Sequence, residues 1–229
     1  MMERIFDLML FDLDGTLVET APEIMDAVND TLDRFKLSQV TQQQVNDWIG
    51  HGTQALLVQA LADRSGMTVE ATRRSELLRQ MVPVYDGFYR QRCGTRSHLY
   101  PHVRETLLSL RAQGVKLAVV TNKESRYTRV VLDVHQLRDL FDEVVSGDSF
   151  ASKKPDPVGV AHCLEKFGVA RERTLFVGDS SIDAATARHA GVAVWLLPYG
   201  YNMGQPIEAC APDRVIADFS SLPGSGFAA

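Results

Sequence analysis

Two aspartates two residues apart, Asp12 and Asp14, are the first side chains of the sequence whose spacing can do chemistry. They follow an apolar run, residues 5–11, that is typical of a buried strand. Residues i and i+2 of an extended backbone point the same way, so both carboxylates enter one site, and Gly15 permits a sharp turn behind them. Two like charges this close indicate a bound cation or a shared proton, or else an ordinary strand end with solvated carboxylates.

Two further polar clusters follow predicted strands or lie just beyond them. Thr121 and Asn122 end the apolar run 115–120, where a hydroxyl and free backbone N–H groups can bind phosphate oxygens or can instead cap the next helix. Lys154 is followed by a proline that holds it extended, so a stiff frame aims one lysine. The alternative for this Lys-Lys pair is a basic surface loop, and the sequence leaves open whether Lys153 or Lys154 faces a site.

The fourth cluster is a pair of acids, Asp179 and Asp183, at the end of the predicted strand 174–177. A spacing of four brings both near one another at the first turn of the following helix, although acids also favour a helix N-terminus for its dipole alone. The four clusters together offer a nucleophilic carboxylate, a second carboxylate, a hydroxyl, a lysine and acids for a hard cation such as Mg²⁺. Phosphoryl transfer needs these groups.

The elements that position these clusters alternate between strands and helices from about residue 97 onward. Besides the run 115–120, strands are predicted at 143–146, 174–177, 192–197 and 214–216, with helices at 103–112, 157–167 and 181–190 and another through residues 130–134. This alternation predicts a doubly wound parallel α/β sheet that is covered on both faces and binds its ligand at the carboxyl ends of the strands.

Residues 17–96 show helical spacing without strand-like alternation. Thr20 and Thr41 each begin a capping box, and an amphipathic stretch from Thr68 predicts one long helix kinked at Pro83. We therefore expect a Rossmann-like core of residues 1–16 and 97–229 with an all-helical cap inserted after the first strand. An insertion beside the ligand edge can act as a lid.

Composition narrows the class of protein. The 229 residues are 45% hydrophobic and 23% charged, which is typical of a globular chain with a core, and the net charge of -5 argues against a nucleic-acid partner. No apolar stretch approaches a membrane span of about 20 residues, and three scattered cysteines favour a reducing cytoplasm. The expected partner is a small-molecule phosphate ester, and the expected state is a monomer or a homodimer.

In order, the four clusters resemble the four motifs of the haloacid dehalogenase superfamily of aspartate-nucleophile phosphatases. The matching residues are Asp12-Leu-Asp14-Gly-Thr, Thr121, Lys154 and Gly178-Asp179-x-x-x-Asp183. The dehalogenases of the superfamily lack the second aspartate, so Asp14 favours a phosphatase. Within the superfamily, strings such as Trp48-Ile-Gly-His-Gly, Val-Val-Thr-Asn-Lys and Gly200-Tyr-Asn-Met-Gly204 are similar to the phosphoglycolate phosphatases, except that His51 stands where their loop usually has asparagine.

The resemblance implies a role for each motif residue. Asp12 attacks phosphorus and forms an aspartyl-phosphate, and Asp14 acts as general acid and then as general base. The phosphate-binding residues implied are Gly15, Thr16, Thr121, Asn122 and Lys154. The Mg²⁺ ligands implied are Asp12, the backbone carbonyl of Asp14, Asp179 and Asp183, the last either directly or through water. The expected reaction is hydrolysis of 2-phosphoglycolate to glycolate and phosphate.

The substrate carboxylate needs a cation or donor, and His51 is a candidate because flanking glycines let the backbone approach closely. The alternative is a solvent-exposed loop histidine. A set of arginines in the helical insert is expected to form a solvated helix face rather than a binding patch. They are residues 73, 74, 79, 90, 92 and 96.

Four rival functions fit parts of the pattern. A phosphomutase uses the same motifs but must protect its aspartyl-phosphate from water, and a phosphatase for another substrate would look alike. A two-component receiver domain also has a phosphorylatable aspartate, a Thr and a Lys on a parallel sheet, but lacks the Asp-x-Asp pair and the helical insert. A catalytically inactive interaction protein is a further alternative, although no motif residue is missing.

Overall fold

The computed structural model describes residues 6–224 and residue 226. In chain order the strands are β1 (Leu8–Phe11), β2 (Val18–Glu19), β3 (His98–Leu99), β4 (Lys116–Val120), β5 (Glu143–Val145), β6 (Thr174–Gly178), β7 (Ala193–Leu196) and β8 (Arg214–Val215). Six of them pair in parallel in the order β5-β4-β1-β6-β7-β8, while β2 and β3 form an antiparallel ribbon. Parallel neighbours need long crossover connections, which helices provide here.

The α-helices of the described chain are α1 (Ala21–Arg34), α2 (Gln42–Trp48), α3 (Thr53–Ser65), α4 (Val69–Arg74), α5 (Glu76–Arg92), α6 (Val103–Ala112), α7 (Ser125–Val134), α8 (Val158–Phe167) and α9 (Ser181–Ala190). The first five lie between β2 and β3, and α6 to α9 alternate with the strands of the sheet. None of these helices has both the length and the apolar character that crossing a membrane requires.

The central strand β1 feeds a hydrophobic core on each face of the sheet. Successive side chains of a strand point to opposite faces. Phe11 therefore packs in the core that contains Leu107 of α6, whereas Leu10 packs in a second core with Val160 of α8 and Ala187 of α9. Helices cover both faces, so the predicted doubly wound α/β fold is confirmed.

The helical block between β2 and β3 joins the sheet through two adjacent connections. The short strands β2 and β3 pair at Val18–Leu99 and Glu19–His98, so the chain enters and leaves the block at one place. Within the block α1 packs along α5. The division into a core (1–16 and 97–229) and a cap (17–96) stays a prediction.

Three local predictions differ from the structure, either in the bounds of an element or in a side-chain contact. Strand β1 begins at Leu8 rather than Ile5, which lies outside the described residues. Thr20 makes no capping hydrogen bond to α1: its backbone is helical (φ -117°, ψ -9°) rather than extended as at a usual cap, and its Oγ1 donates to Oδ1 of Asp14 at 2.7 Å. The predicted long helix from residue 68 is two helices, because Ser75 ends α4 and caps α5, while Pro83 lies inside α5. The capping box at Thr41 is confirmed.

Candidate active site

The carboxyl ends of three adjacent strands carry the predicted site residues. Phe11 of β1 is in register with Val119 of β4 and Val177 of β6, so the residues after these strands lie at the same edge of the sheet. The backbone N–H of Asp12 donates to the Val177 carbonyl at 3.0 Å and continues that register. Asp12 and the motif residues that follow β4 and β6 are therefore brought together by sheet geometry rather than by chance loop positions.

A buried lysine connects two of the aspartates. Lys154 Nζ lies 2.8 Å from Oδ1 of Asp12 and 2.7 Å from Oδ1 of Asp183. Burial alone would lower the pKa of Lys154, but the two carboxylates outweigh burial and raise it, so the ammonium stays charged. Lys153 is exposed, and Lys154 is thus the member of the pair that faces the aspartates.

Three buried carboxylates form a cluster with the donor set of a hard cation. One oxygen each of Asp12, Asp179 and Asp183 lies within 4.8 Å of the others. Burial raises the pKa of Asp12 to about 6 against the opposing charge of Lys154, and burial with the neighbouring carboxylates raises that of Asp179 further. A divalent cation bound by these oxygens would compensate the repulsion, and hard cations prefer oxygen ligands of this kind.

The local sequence around α9 holds Asp183 in place. Its Oδ2 accepts hydrogen bonds from the backbone N–H groups of Asp179 and Ser180 and from the Ser180 hydroxyl, while Oδ1 accepts from Lys154. Ser180 and Asp183 form a capping box at the helix N-terminus. The helix cap and the cluster therefore use the same carboxylate.

Gly15 and Thr16 lie against Asp179. Gly15 has φ +87°, and a Cβ at this position would lie 2.4 Å from Oδ2 of Asp179, so the close approach requires glycine. The Thr16 hydroxyl donates to Oδ1 of Asp179, and the Tyr201 N–H donates to Oδ2 at 2.6 Å. In this structure both residues position an acid of the cluster, and phosphate contact by either of them stays a prediction.

Thr121 and Asn122 lie at the end of β4, as expected from the sequence. Thr121 lines the same cavity as Asp12, and its Oγ1 accepts the backbone N–H of Lys123 at 3.2 Å. Asn122 Nδ2 donates to the carbonyl of Gly50 at 2.9 Å and to the carbonyl of Lys154 at 3.0 Å. Asn122 thereby ties the loop before α3 to the segment that carries Lys154.

A second buried lysine, Lys123, was missed by the sequence reasoning. Its Nζ lies 2.9 Å and 3.1 Å from the two oxygens of Asp14, and the ammonium sits 5.1 Å from the ring centre of Tyr89. Burial lowers the pKa of Lys123, but Asp14 and other nearby groups outweigh burial and raise it. The signal was present in the sequence, because Lys123 directly follows Thr121-Asn122 at a strand end.

A small cavity between the strand ends and the helical block is lined by Asp12, Asp14, Thr121 and Lys123. Its volume is about 50 Å³, and its polar lining includes Asp12, Asp14 and Lys123. The helical block contributes mostly apolar and aromatic side chains to the opposite part of the lining: Ile24, Ile49, Leu56, Tyr85 and Tyr89. Gly50 and Gly52 line the cavity, but His51 between them lines a separate cleft with Arg73 and Lys153.

Comparison with known proteins agrees with this geometry. Residues 9–197 match the family of haloacid dehalogenase-like hydrolases, and the chain belongs to that family. It is a phosphoric monoester hydrolase that acts on a small phosphate ester, and the family implies a divalent metal.

Several relatives have a name more specific than that of the family, phosphoglycolate phosphatase. The phosphoglycolate phosphatase of Vibrio cholerae is 39% identical over 94% of this chain and 94% of its own length, and that of Haemophilus influenzae strain 86-028NP is 39% identical over 95% and 96%. The crystal structure of a predicted phosphoglycolate phosphatase from Haemophilus somnus superposes with a TM-score of 0.88 at 36% identity, covering 95% of this chain and 96% of that one.

Proposed function

We propose that this chain hydrolyses 2-phosphoglycolate to glycolate and phosphate, with Mg²⁺ as its cation and Asp12 as its nucleophile. The observation that carries the proposal is that Asp12 and Asp14 line one small cavity and that each of the two carboxylates is paired with its own buried lysine. This arrangement supplies a nucleophile, a proton carrier and two positive charges for an anionic substrate. The full-length relatives named phosphoglycolate phosphatase support the same substrate.

The acidic cluster fits the cation that the family implies. Asp12, Asp179 and Asp183 would hold Mg²⁺ together with the backbone carbonyl of Asp14, with Asp183 bound directly or through water. When bound, the cation supplies the positive charge that lets a phosphate dianion approach these carboxylates. Lys154 adds to that charge from the side of Asp12.

The covalent steps follow from the two aspartates. A carboxylate oxygen of Asp12 forms a bond to phosphorus while the bond from phosphorus to the glycolate oxygen breaks, and Asp14 gives its proton to that oxygen. Water then attacks the phosphorus of the aspartyl-phosphate, Asp14 takes a proton from it, and the bond to Asp12 breaks. Oδ1 of Asp12 already accepts from the Leu13 N–H at 2.7 Å and from Lys154, so Oδ2 is the oxygen available for attack.

The phosphate oxygens need donors at the end of β4. We propose that the Thr121 hydroxyl, the Asn122 backbone, Lys154 and the turn at Gly15 and Thr16 supply them. Thr121 lines the cavity next to Asp12, which supports its part. Lys154 is a buried cation within hydrogen-bond distance of the nucleophile, which supports charge neutralisation during transfer.

The substrate carboxylate is best matched by Lys123. This ammonium lines the cavity beside Asp14, the group that protonates the departing glycolate oxygen, and that oxygen is attached to the carbon next to the carboxylate. His51 was the candidate of the sequence reasoning, and that role stays a prediction. The structure favours Lys123, since His51 lines another cleft.

The cavity volume argues against the phosphomutase alternative. The cavity is small, about 50 Å³, which favours a small phosphate ester over a sugar diphosphate that must turn around during the reaction. The solved structure of a β-phosphoglucomutase-like protein from Thermotoga maritima is 22% identical to this chain with a TM-score of 0.71, a likeness that shows the fold alone.

Phosphate release from a panel of esters tests the proposal. We expect the highest kcat/KM for 2-phosphoglycolate, lower values for p-nitrophenyl phosphate and glucose 6-phosphate, and no turnover in EDTA. Equal or faster hydrolysis of the hexose phosphate would contradict the substrate. Formation of a phosphate isomer without release would favour a mutase, and a stable phosphoprotein without turnover would favour a signalling role.

Three broader expectations are also proposals. The division into a core of residues 1–16 and 97–229 and a cap of 17–96 is supported by the adjacent connections β2 and β3. We further propose a cytoplasmic location, in keeping with the three free thiols of the described chain. A monomer or a homodimer is the expected state, and sedimentation of the purified chain would distinguish them.

A further inference from the structure

A second cleft, of about 220 Å³, lies outside the catalytic cavity. We name it the basic cleft; it is lined by His51, Gln54, Ala55, Val58, Arg73 and Lys153. Five of these residues belong to the helical block, and Lys153 belongs to the loop before α8. Three of the six are basic and none is acidic, so the basic cleft differs in charge from the carboxylate-rich catalytic cavity.

Arg73 differs from the other five arginines of the set that was expected to form a solvated helix face. Each of those five forms an ion pair with an acidic side chain: Arg74–Glu70, Arg79–Glu76, Arg90–Asp86, Arg92–Asp30 and Arg96–Asp26. Among the described residues no carboxylate pairs with Arg73, and its side chain lines the basic cleft instead. Arg73 is exposed like most of the others, and it differs from these five in lacking an acidic partner within the described chain.

The other two basic residues of the cleft also have no carboxylate partner within the described part of the chain. Lys153 lies against the loop before α3, because its Nζ is 2.6 Å from where a Cβ at Gly52 would stand. Partial burial, followed by the charges of Lys153 and Arg73, lowers the pKa of His51. Like charges that face one another across a cleft repel, and an anion between them removes that cost.

We propose that the basic cleft binds a small dianion of the phosphate type at the same time as the catalytic cavity holds substrate. The guanidinium of Arg73 offers paired donors that match phosphate oxygens, and the Lys153 ammonium adds a second charge. An anion here connects the helical block with the loop that carries Lys154, the residue after Lys153 and the partner of Asp12. An anion at this place therefore holds the helical block against that loop.

The catalytic cavity also attracts phosphate in the presence of Mg²⁺, so the two sites must be separated in the experiment. In EDTA the carboxylates of the catalytic site repel a dianion, whereas the basic cleft has no carboxylate in its lining. The measurement is a titration of the full chain with inorganic phosphate in EDTA, at constant ionic strength held with chloride. The ring signals of His51 in NMR spectra report on the cleft.

Two variants decide the outcome. We expect saturable shifts of the His51 signals in the wild type and in the control Arg74→Ala, whose arginine is 81% exposed in its side chain and paired with Glu70. Removing Arg73 or Lys153 by alanine substitution should weaken phosphate binding about tenfold each, the effect of one hydrogen bond to a charged group. The proposal would be overturned if the His51 signals do not shift in the wild type, or if Arg73→Ala and Lys153→Ala bind phosphate as tightly as the wild type does.

A second titration distinguishes the source of the anion. Without Mg²⁺ the ester 2-phosphoglycolate is not turned over, so its binding can be compared directly with that of inorganic phosphate. Tighter binding of the ester would assign the cleft to a phosphorylated metabolite, and equal or weaker binding would assign it to free phosphate. Both outcomes support a phosphate-type site. Neither depends on hydrolysis, so the result is independent of whether the proposed reaction is correct.

Discussion

The buried Lys123 ammonium lies 2.9 Å from Oδ1 of Asp14, and this ion pair joins the segment after β4 to the segment after β1. The other aspartate of the motif, Asp12, has Lys154 at 2.8 Å. Each carboxylate therefore has its own counter-charge, which removes part of the repulsion between two acids only two residues apart. The two lysines therefore have different roles. Lys154 neutralises the nucleophile Asp12, and Lys123 lies beside the proton carrier Asp14.

Replacing Asp12 by asparagine tests the nucleophile. An amide cannot form the aspartyl-phosphate, so we expect phosphate release to fall at least about 10³-fold while the fold persists. The shape of the side chain is kept, and Lys154 retains its second partner Asp183 at 2.7 Å. Phosphate release and circular dichroism measure the two parts of the expectation, and turnover like that of the wild type would contradict the assignment.

Asp179→Asn tests the cation site without using turnover. Mg²⁺ at 100 times its dissociation constant should raise the unfolding free energy of the wild type by about 2.7 kcal/mol, because the ion binds the folded chain. Asp179 is one of three clustered carboxylates, so the variant should lose most of this gain. Thermal unfolding with and without Mg²⁺ provides the measurement. The exposed Asp139→Asn is the matched control, and an equal gain in all three proteins would place the cation elsewhere.

The buried carboxyl group of Glu23 should make the free energy of unfolding depend on pH. Its Oε2 accepts the N–H groups of Gly94 at 2.9 Å and Arg96 at 3.2 Å, and burial raises its pKa above the ordinary 4.5. The folded chain therefore holds this proton more tightly than the unfolded chain does. The stabilisation from Glu23 is complete below pH 4.5 and is lost as the pH rises through the raised value.

Two substitutions separate the charge of Glu23 from its hydrogen bonds. Glu23→Gln keeps an oxygen for the two N–H groups and removes the proton equilibrium, so its unfolding free energy should vary less with pH than that of the wild type. Glu23→Ala leaves both donors unpaired and should cost about 1–2 kcal/mol below pH 4.5, with a smaller cost at higher pH, where the wild type has lost part of the contribution of Glu23. Urea unfolding across the pH range measures both. An unchanged pH profile in the glutamine variant would show that other groups govern it.

Sequence patterns predicted the sheet and the positions of the motif residues because both depend on regular spacing. The strand ends after residues 11, 120 and 178 meet wherever parallel strands pair in register, so Asp12, Thr121 and Asp179 could be placed together from the order and spacing of the strands alone. The two-residue strands β2 and β3 are too short to show a period, and they were missed.

Side-chain pairs between segments that are distant in sequence could not be predicted from the spacing of residues along the chain. The Thr20 hydroxyl has the sequence context of a helix cap, yet it donates to the Asp14 carboxylate and accepts no N–H of α1, because Thr20 has a helical backbone conformation. Lys123 points into the cavity because the Tyr89 ring and Asp14 lie on that side, and neither is near it in sequence. The same holds for Arg73, whose place in the lining of the basic cleft depends on residues that are distant in sequence, such as Lys153.

The pair of Lys123 and Asp14 leads to a prediction about specificity. Lys123→Met keeps most of the volume and removes the charge that meets the substrate carboxylate. We expect kcat/KM for 2-phosphoglycolate to fall about 10–100-fold, the value of one hydrogen bond to a charged group. The fall for p-nitrophenyl phosphate should be smaller, because that ester has no carboxylate and its leaving group needs little protonation.

The ratio of the two kcat/KM values separates recognition from general damage. Loss of a buried partner leaves Asp14 with an uncompensated charge, which lowers stability and would reduce both rates together. The control is Lys116→Met, whose lysine is half-exposed and pairs with Asp142 at the far end of β4. A change in the ratio only in Lys123→Met assigns the carboxylate to Lys123. An equal loss on both substrates would instead mean that Lys123 acts only by holding Asp14.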